Sequence, residues 1–209
     1  MADKDTDRTE AFSDGVFAIV ITLLVLDLRS PQHEPGQLLP ALLQQWPVYL
    51  AYFASFLYVG VIWLNHHAVF AHIRHADQGL RLANLGILFT TALLPFPTVV
   101  VSDAFRGGNA TDIQVAVAVY ALIAAAMCAS WLVFYSYLAH RHGLLAERGV
   151  DAVFFREEHK RAWVGIAGYT VAGILGYAVM PVIGLLVFVA LPAFYALTSE
   201  GLLSLRARA

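Results

Sequence analysis

From Ala162 to Ser199 the chain carries no Asp, Glu, Lys or Arg, and as one helix this run would be about 57 Å long at 1.5 Å per residue. The hydrocarbon core of a bilayer is about 30 Å thick, so the run must fold as two helices. Met180 and Pro181 mark the turn, because proline cannot continue a helix without breaking its hydrogen-bond ladder. Leu38 to Asn65 is a second uncharged stretch. Hydrophobic residues make up 59% of the chain and charged residues 13%, with a mean hydropathy of +0.67. Soluble domains lie nearer half apolar and a quarter charged, so the chain reads as an all-α integral membrane protein, and its 209 residues amount to one domain. A net charge of −2 gives no basic surface for nucleic acid.

The same pattern divides the whole chain into six transmembrane spans: residues 8–28, 45–65, 82–102, 113–139, 162–179 and 182–199. Residues 1–7 are polar and are expected to be disordered. They are acidic and polar rather than basic, so no cleavable signal peptide is expected and the first helix should persist in the mature protein. Residues 29–40 hold three prolines and a glycine and read as a loop. Residues 66–81 and 103–112 read as connections, and 140–161 as a surface segment that is partly helical. Pro95 and Pro97 should kink or end the third helix. The fourth span is rich in Ala and other small residues, which permits close helix packing. Six crossings put both termini on one side. All of the 13 Lys and Arg residues except Arg29 and Arg106 fall on that side, which makes it cytoplasmic, with the chain multi-pass in the cell membrane.

The first span differs from the others in its decoration. Ser13 and Asp14 stand where its apolar run begins, and both need protein partners if they are to sit near lipid. Ile19, Thr22 and Leu26, spaced by three and four residues, share one helical face, whereas Asp14 lies about 140° around the helix from Ile19. If Ile19 lines a path, Asp14 faces neighbouring helices. Rings of Ile19 and Leu26 would form apolar collars of the kind that gate by dewetting, and Thr22 between them would offer hydroxyls to a partly dehydrated cation. One such helix cannot enclose a pore, so several chains must share an axis. The chain has no T-V-G-Y-G segment that could serve as a carbonyl filter.

Arg8, Phe12, Ser13 and Asp14 spell R-x-x-x-F-S-D at the head of this helix. With Trp63, Asn65, His66 and His67 in WLNHH, Asn84 in RLANLGIL, and Pro95, Phe96 and Pro97 in LLPFPT, the first half of the chain resembles the transmembrane protein 175 family. The second half is similar only in the number and placement of its apolar spans. The resemblance implies a potassium channel without a T-V-G-Y-G filter, whose constriction is made by apolar first-helix residues beside a hydroxyl ring. Ile19, Thr22 and Leu26 fall at the matching distances after F-S-D. It also implies a homotetramer in the lipid bilayer with the first helix around a central pore, passing potassium and other monovalent cations, with no cofactor and no enzyme chemistry.

Arg8 precedes Asp14 by six residues, too far for an i to i+4 pair, so each should pair with other helices. Trp63 supplies an N–H donor suited to a carboxylate, and Asn84 supplies both donor and acceptor. Arg8, Phe12, Ser13, Asp14, Trp63, His66, His67 and Asn84 are therefore expected to form a polar packing network joining the first three helices within and between subunits. His66, His67, His72 and His75 admit an alternative, a membrane redox protein holding haem or quinone. Against it, His66 and His67 point to different helical faces, and no Cys or acidic cluster completes a metal site. Cys128, the single cysteine, reads as a small buried hydrophobe.

Overall fold

The computed structural model describes residues 2–145 and 152–198, with side chains described for 6–141 and 158–197. These residues form eight α-helices: α1 (Ala2–Leu24), α2 (Leu38–Gln44), α3 (Trp46–Phe70), α4 (Gln78–Ala92), α5 (Pro95–Gly107), α6 (Ala110–Leu145), α7 (Ala152–Ala178) and α8 (Pro181–Thr198). A 3₁₀ turn, Val25–Asp27, ends α1. Four helical stretches among them are long and apolar enough to cross a membrane: Thr6–Asp27, Trp46–Phe70, Gln78–Gly107 and Ala110–Arg141. Pro181–Leu197 is a shorter apolar helix.

Several boundaries differ from the expectations above, each for a local reason. The N-terminus is helical from Ala2 rather than disordered. Its first turns dock on the connection between α3 and α4, where the Thr6 hydroxyl oxygen accepts the Ala76 N–H at 3.1 Å. The proline-bearing loop ends sooner than expected, because residues 38–44 fold as the short helix α2. The connection at 66–81 shrinks as well: α3 runs to Phe70, and α4 starts at Gln78 with Asp77 as its N-cap, accepting the Leu80 N–H at 2.8 Å. The third span, by contrast, breaks where its prolines led one to expect: it divides at Leu93 and Leu94, and Pro95 opens α5 at the first helical position, where its missing N–H costs nothing. The connection at 103–112 is reduced to Gly108, left-handed at φ 69°, and Asn109, whose Oδ1 accepts the Thr111 and Asp112 N–H groups. Within 140–161 the helices α6 and α7 take up most of the segment, and residues 146–151 lie outside the described residues.

α7 and α8 turn at Val179 and Met180, where the uncharged run was expected to fold back. They pack on α6 through small residues: a Cβ placed on Gly176 or Gly184 would stand 2.5 or 2.4 Å from Val117 Cγ1, so only glycine lets these helices approach so closely. Aromatic rings fill the shared core, with Tyr120 stacked on Phe188 at 4.3 Å between ring centroids and Tyr58 against Tyr169 at 5.5 Å. Cys128 is buried in this core, where the Tyr58 hydroxyl stands 3.6 Å from its sulfur. α1 lies at the edge of the bundle against α3, α4 and α5.

Candidate functional site

α1 has two faces of opposite character. Ser13, Phe17, Val20 and Leu24, with Asp27 in the 3₁₀ turn, are spaced by three or four residues and are all buried against the other helices. The opposite face is apolar and open: Ile19 is 60% exposed and Leu26 68%, with Thr22 exposed between them. Thr22 donates its hydroxyl proton to the Ile19 carbonyl at 2.8 Å. Such a back-bond leaves the oxygen lone pairs facing outward, the polarity that a cation requires. Phe12, of the F-S-D motif, is also on the open side.

On the buried face polar side chains connect in series. The His66 Nε2–H donates to Asn84 Oδ1 at 2.9 Å, Asn84 Nδ2 donates to Ser13 Oγ at 2.9 Å, and the Ser13 hydroxyl donates to the Thr9 carbonyl at 2.9 Å. The last link sets the polarity of the chain: Ser13 spends its proton on the helix, so it must accept from the Asn84 amide, which turns the Asn84 carbonyl toward an N–H of His66. The His66 ring is completely buried, stacked on Phe70 at 4.2 Å and edge-on to Phe17 at 5.1 Å. Beside this series, Trp63 Nε1 donates to Asp14 Oδ1 at 3.0 Å, and His67 Nδ1 donates to Glu10 Oε1 at 2.9 Å.

The structure thus brings together Ser13, His66 and Asn84, and separately Asp14 with Trp63. Of the four histidines behind the redox alternative, His66 and His67 face different partners, Asn84 and Glu10. Arg8 and Phe12 stay outside these contacts. Arg8 is exposed and makes no ion pair among the described residues, and together with Thr9, Phe12, Arg81, Asn84 and Leu85 it lines a shallow groove between α1 and α4. Three participants escaped the sequence reading. Glu10 lies one turn before Asp14, where an acidic residue at i−4 was a usable signal. Thr6 and Asp27 left no signal, since their partners, Ala76 and Arg106, are distant in sequence.

This fold, with an edge helix that bonds inward through Ser13 and Asp14 and presents Ile19, Thr22 and Leu26 outward, is that of an all-helical, multi-pass membrane protein. The family described as endosomal/lysosomal potassium channel TMEM175 matches residues 8–95. A protein of Streptomyces collinus named as a potassium channel is 42% identical over 167 residues, covering 79% of this chain and 80% of the relative. The Bos taurus protein named endosomal/lysosomal proton channel TMEM175 is 44% identical over 97 residues, 42% of this chain but 20% of that one. The crystal structure of a lysosomal potassium-selective channel TMEM175 homolog from Chamaesiphon minutus superposes with a TM-score of 0.79 at 33% identity, covering 94% of this chain and 98% of that chain. The chain belongs to the TMEM175 family, whose matched members are named as potassium or proton channels.

Proposed function

We propose that this chain is the subunit of a potassium-permeable cation channel, a homotetramer of six-crossing subunits in the cell membrane with both termini cytoplasmic. Four copies of α1 surround the axis. Ile19 and Leu26 form dry collars that close the path by excluding water, and the Thr22 oxygens between them replace part of the hydration of a monovalent cation. Selection rests on this constriction, because no T-V-G-Y-G filter is present in the sequence. Arg8, Ser13, Asp14, Trp63, His66, His67 and Asn84 hold α1 in place, Arg8 toward the neighbouring subunit.

One observation carries the reading: the three residues placed on the pore face lie on the open side of α1, while Ser13 and Asp14 on the same helix are bonded inward. An apolar ridge interrupted by the Thr22 hydroxyl, on the helix whose Ser13 and Asp14 are bonded inward, meets the needs of a water-excluding throat. The potassium-channel names of the relatives point the same way. The test is cation flux into liposomes holding the purified protein. Potassium flux is expected, and Ile19→Asn, which wets the first collar, should raise it with little loss of thermal stability because the side chain is exposed. Absence of flux from folded, tetrameric protein would overturn the reading.

A further inference from the structure

At the C-terminal end of α1 the polar contacts are of another kind. Asp27 is only 4% exposed, and among the described residues neither carboxylate oxygen accepts a hydrogen bond. Its nearest cation is Arg106, in the last turn of α5, whose Nη1 stands 3.9 Å from Asp27 Oδ1 and whose Nη2 donates to the Asp27 backbone carbonyl at 3.1 Å. The same Nη1 makes a closer contact, 2.8 Å, with the exposed carboxylate of Asp103 one turn back on α5. The Arg106 guanidinium is therefore divided between a buried carboxylate on α1 and an exposed one on its own helix.

Asp27 and Leu26 are consecutive residues of the 3₁₀ turn Val25–Asp27. With three residues per turn, their side chains leave the backbone about 120° apart. Holding Asp27 against α5 therefore aims Leu26 at the open face, where it is 68% exposed. A buried carboxylate without hydrogen bonds is stable only close to its counter-charge, so the position of Arg106 governs where this turn rests. From this geometry we infer that Asp27 and Arg106 are positioning residues that aim the Leu26 collar, and that Asp103 tunes them by competing for Arg106. The inference rests on the pore reading above.

The experiment uses full-length protein in liposomes, with wild-type potassium flux as the reference. If wild type conducts nothing, the pore reading fails first and the positioning role fails with it. If wild type conducts, Asp27→Asn, which removes the charge without removing any hydrogen bond, should change flux by about threefold or more, and Arg106→Gln likewise, with the double variant doing no more than either alone. Asp103→Asn, at an exposed site that should not affect folding, should shift flux in the opposite direction by releasing Arg106 to Asp27. In a Leu26→Ala background all three changes should lose their effect, because the collar they aim is gone. Wild-type flux in Asp27→Asn and Asp103→Asn, or an effect of the same size with and without Leu26, would overturn the inference. So would an effect abolished by raising external salt, which would indicate a direct field on the ions instead of an aimed collar.

Discussion

The two ends of α1 are secured by different physics. At the N-terminal end Thr6, Glu10, Ser13 and Asp14 each find a hydrogen-bond partner outside α1, on α3, on α4 or in the connection between those helices. At the C-terminal end a single residue, Arg106, does the holding, through one hydrogen bond to the Asp27 carbonyl at 3.1 Å and a charge pair with its buried carboxylate at 3.9 Å, on a guanidinium shared with Asp103. Hydrogen bonds are directional and fail within a few tenths of an ångström, whereas a charge pair at that distance changes slowly with position. The N-terminal half of the helix is thus an anchored base, and the C-terminal turn carrying Leu26 is the part that can be re-aimed at low cost. Under the pore reading proposed above, this puts the compliant end of the helix where its collar would be.

The largest expected effect lies at the anchored end. Asn84→Ala leaves the buried His66 N–H without an acceptor and removes the donor to Ser13, so thermal unfolding in detergent should show a loss of about 1–3 kcal/mol. Asp77→Ala comes next, at about 1 kcal/mol, because it removes the N-cap of α4 together with the Tyr137 hydroxyl bond beside the seat of Thr6. Asp77 also sets a pH signature. Burial pushes its carboxyl up, but the Leu80 N–H, the Tyr137 hydroxyl, Arg141 and His75 outweigh burial and hold it below the ordinary carboxylate value. A carboxyl lower in the folded than in the unfolded state contributes stability that is full above the unfolded value, about 4, and is lost as pH falls through the folded one. Melting curves of wild type should therefore drop on acidification below about pH 4, and Asp77→Asn should flatten that part of the drop.

At the compliant end, Asp27→Asn should shift unfolding by no more than about 1 kcal/mol in either direction, since it breaks no hydrogen bond. A loss as large as that of Asn84→Ala would erase the contrast between the two ends. Smallest of all is His67→Ala, about 0–0.5 kcal/mol, because the ring is largely exposed and its pairing with Glu10 is screened. Thr22→Val should be equally quiet in stability, losing one exposed back-bond, and should show itself in the potassium-to-sodium flux ratio.

Part of this site was legible in the residues. Trp63 can only donate and the carbonyl oxygen of the Asp14 carboxyl group accepts, so their pairing follows from chemistry once both belong to adjacent helices. Asn84 could be anticipated as a bridge for the same reason, and Ile19, Thr22 and Leu26 could be put on one face by counting residues. Arg8, expected among these bonded groups, stays apart from them within a single subunit. Asp27 could not be anticipated: before the fold is known, a single acidic residue at the end of an apolar run looks like a solvated helix terminus.

What the sequence determined by itself was the membrane class, the helical periodicity and the placing of Asp14 on a different side of α1 from Ile19, Thr22 and Leu26, because these depend on local spacing and on the cost of placing charge in hydrocarbon. Helix ends were decided only in three dimensions, since α3 runs past its apolar core by burying His66 and α4 begins early with the half-buried Asp77 as its N-cap. The same holds for the pairing of Asp27 with Arg106: an interaction between residues so distant in sequence exists only once the third span has broken at Leu93 and Leu94 and the last turn of α5 has come to the end of α1.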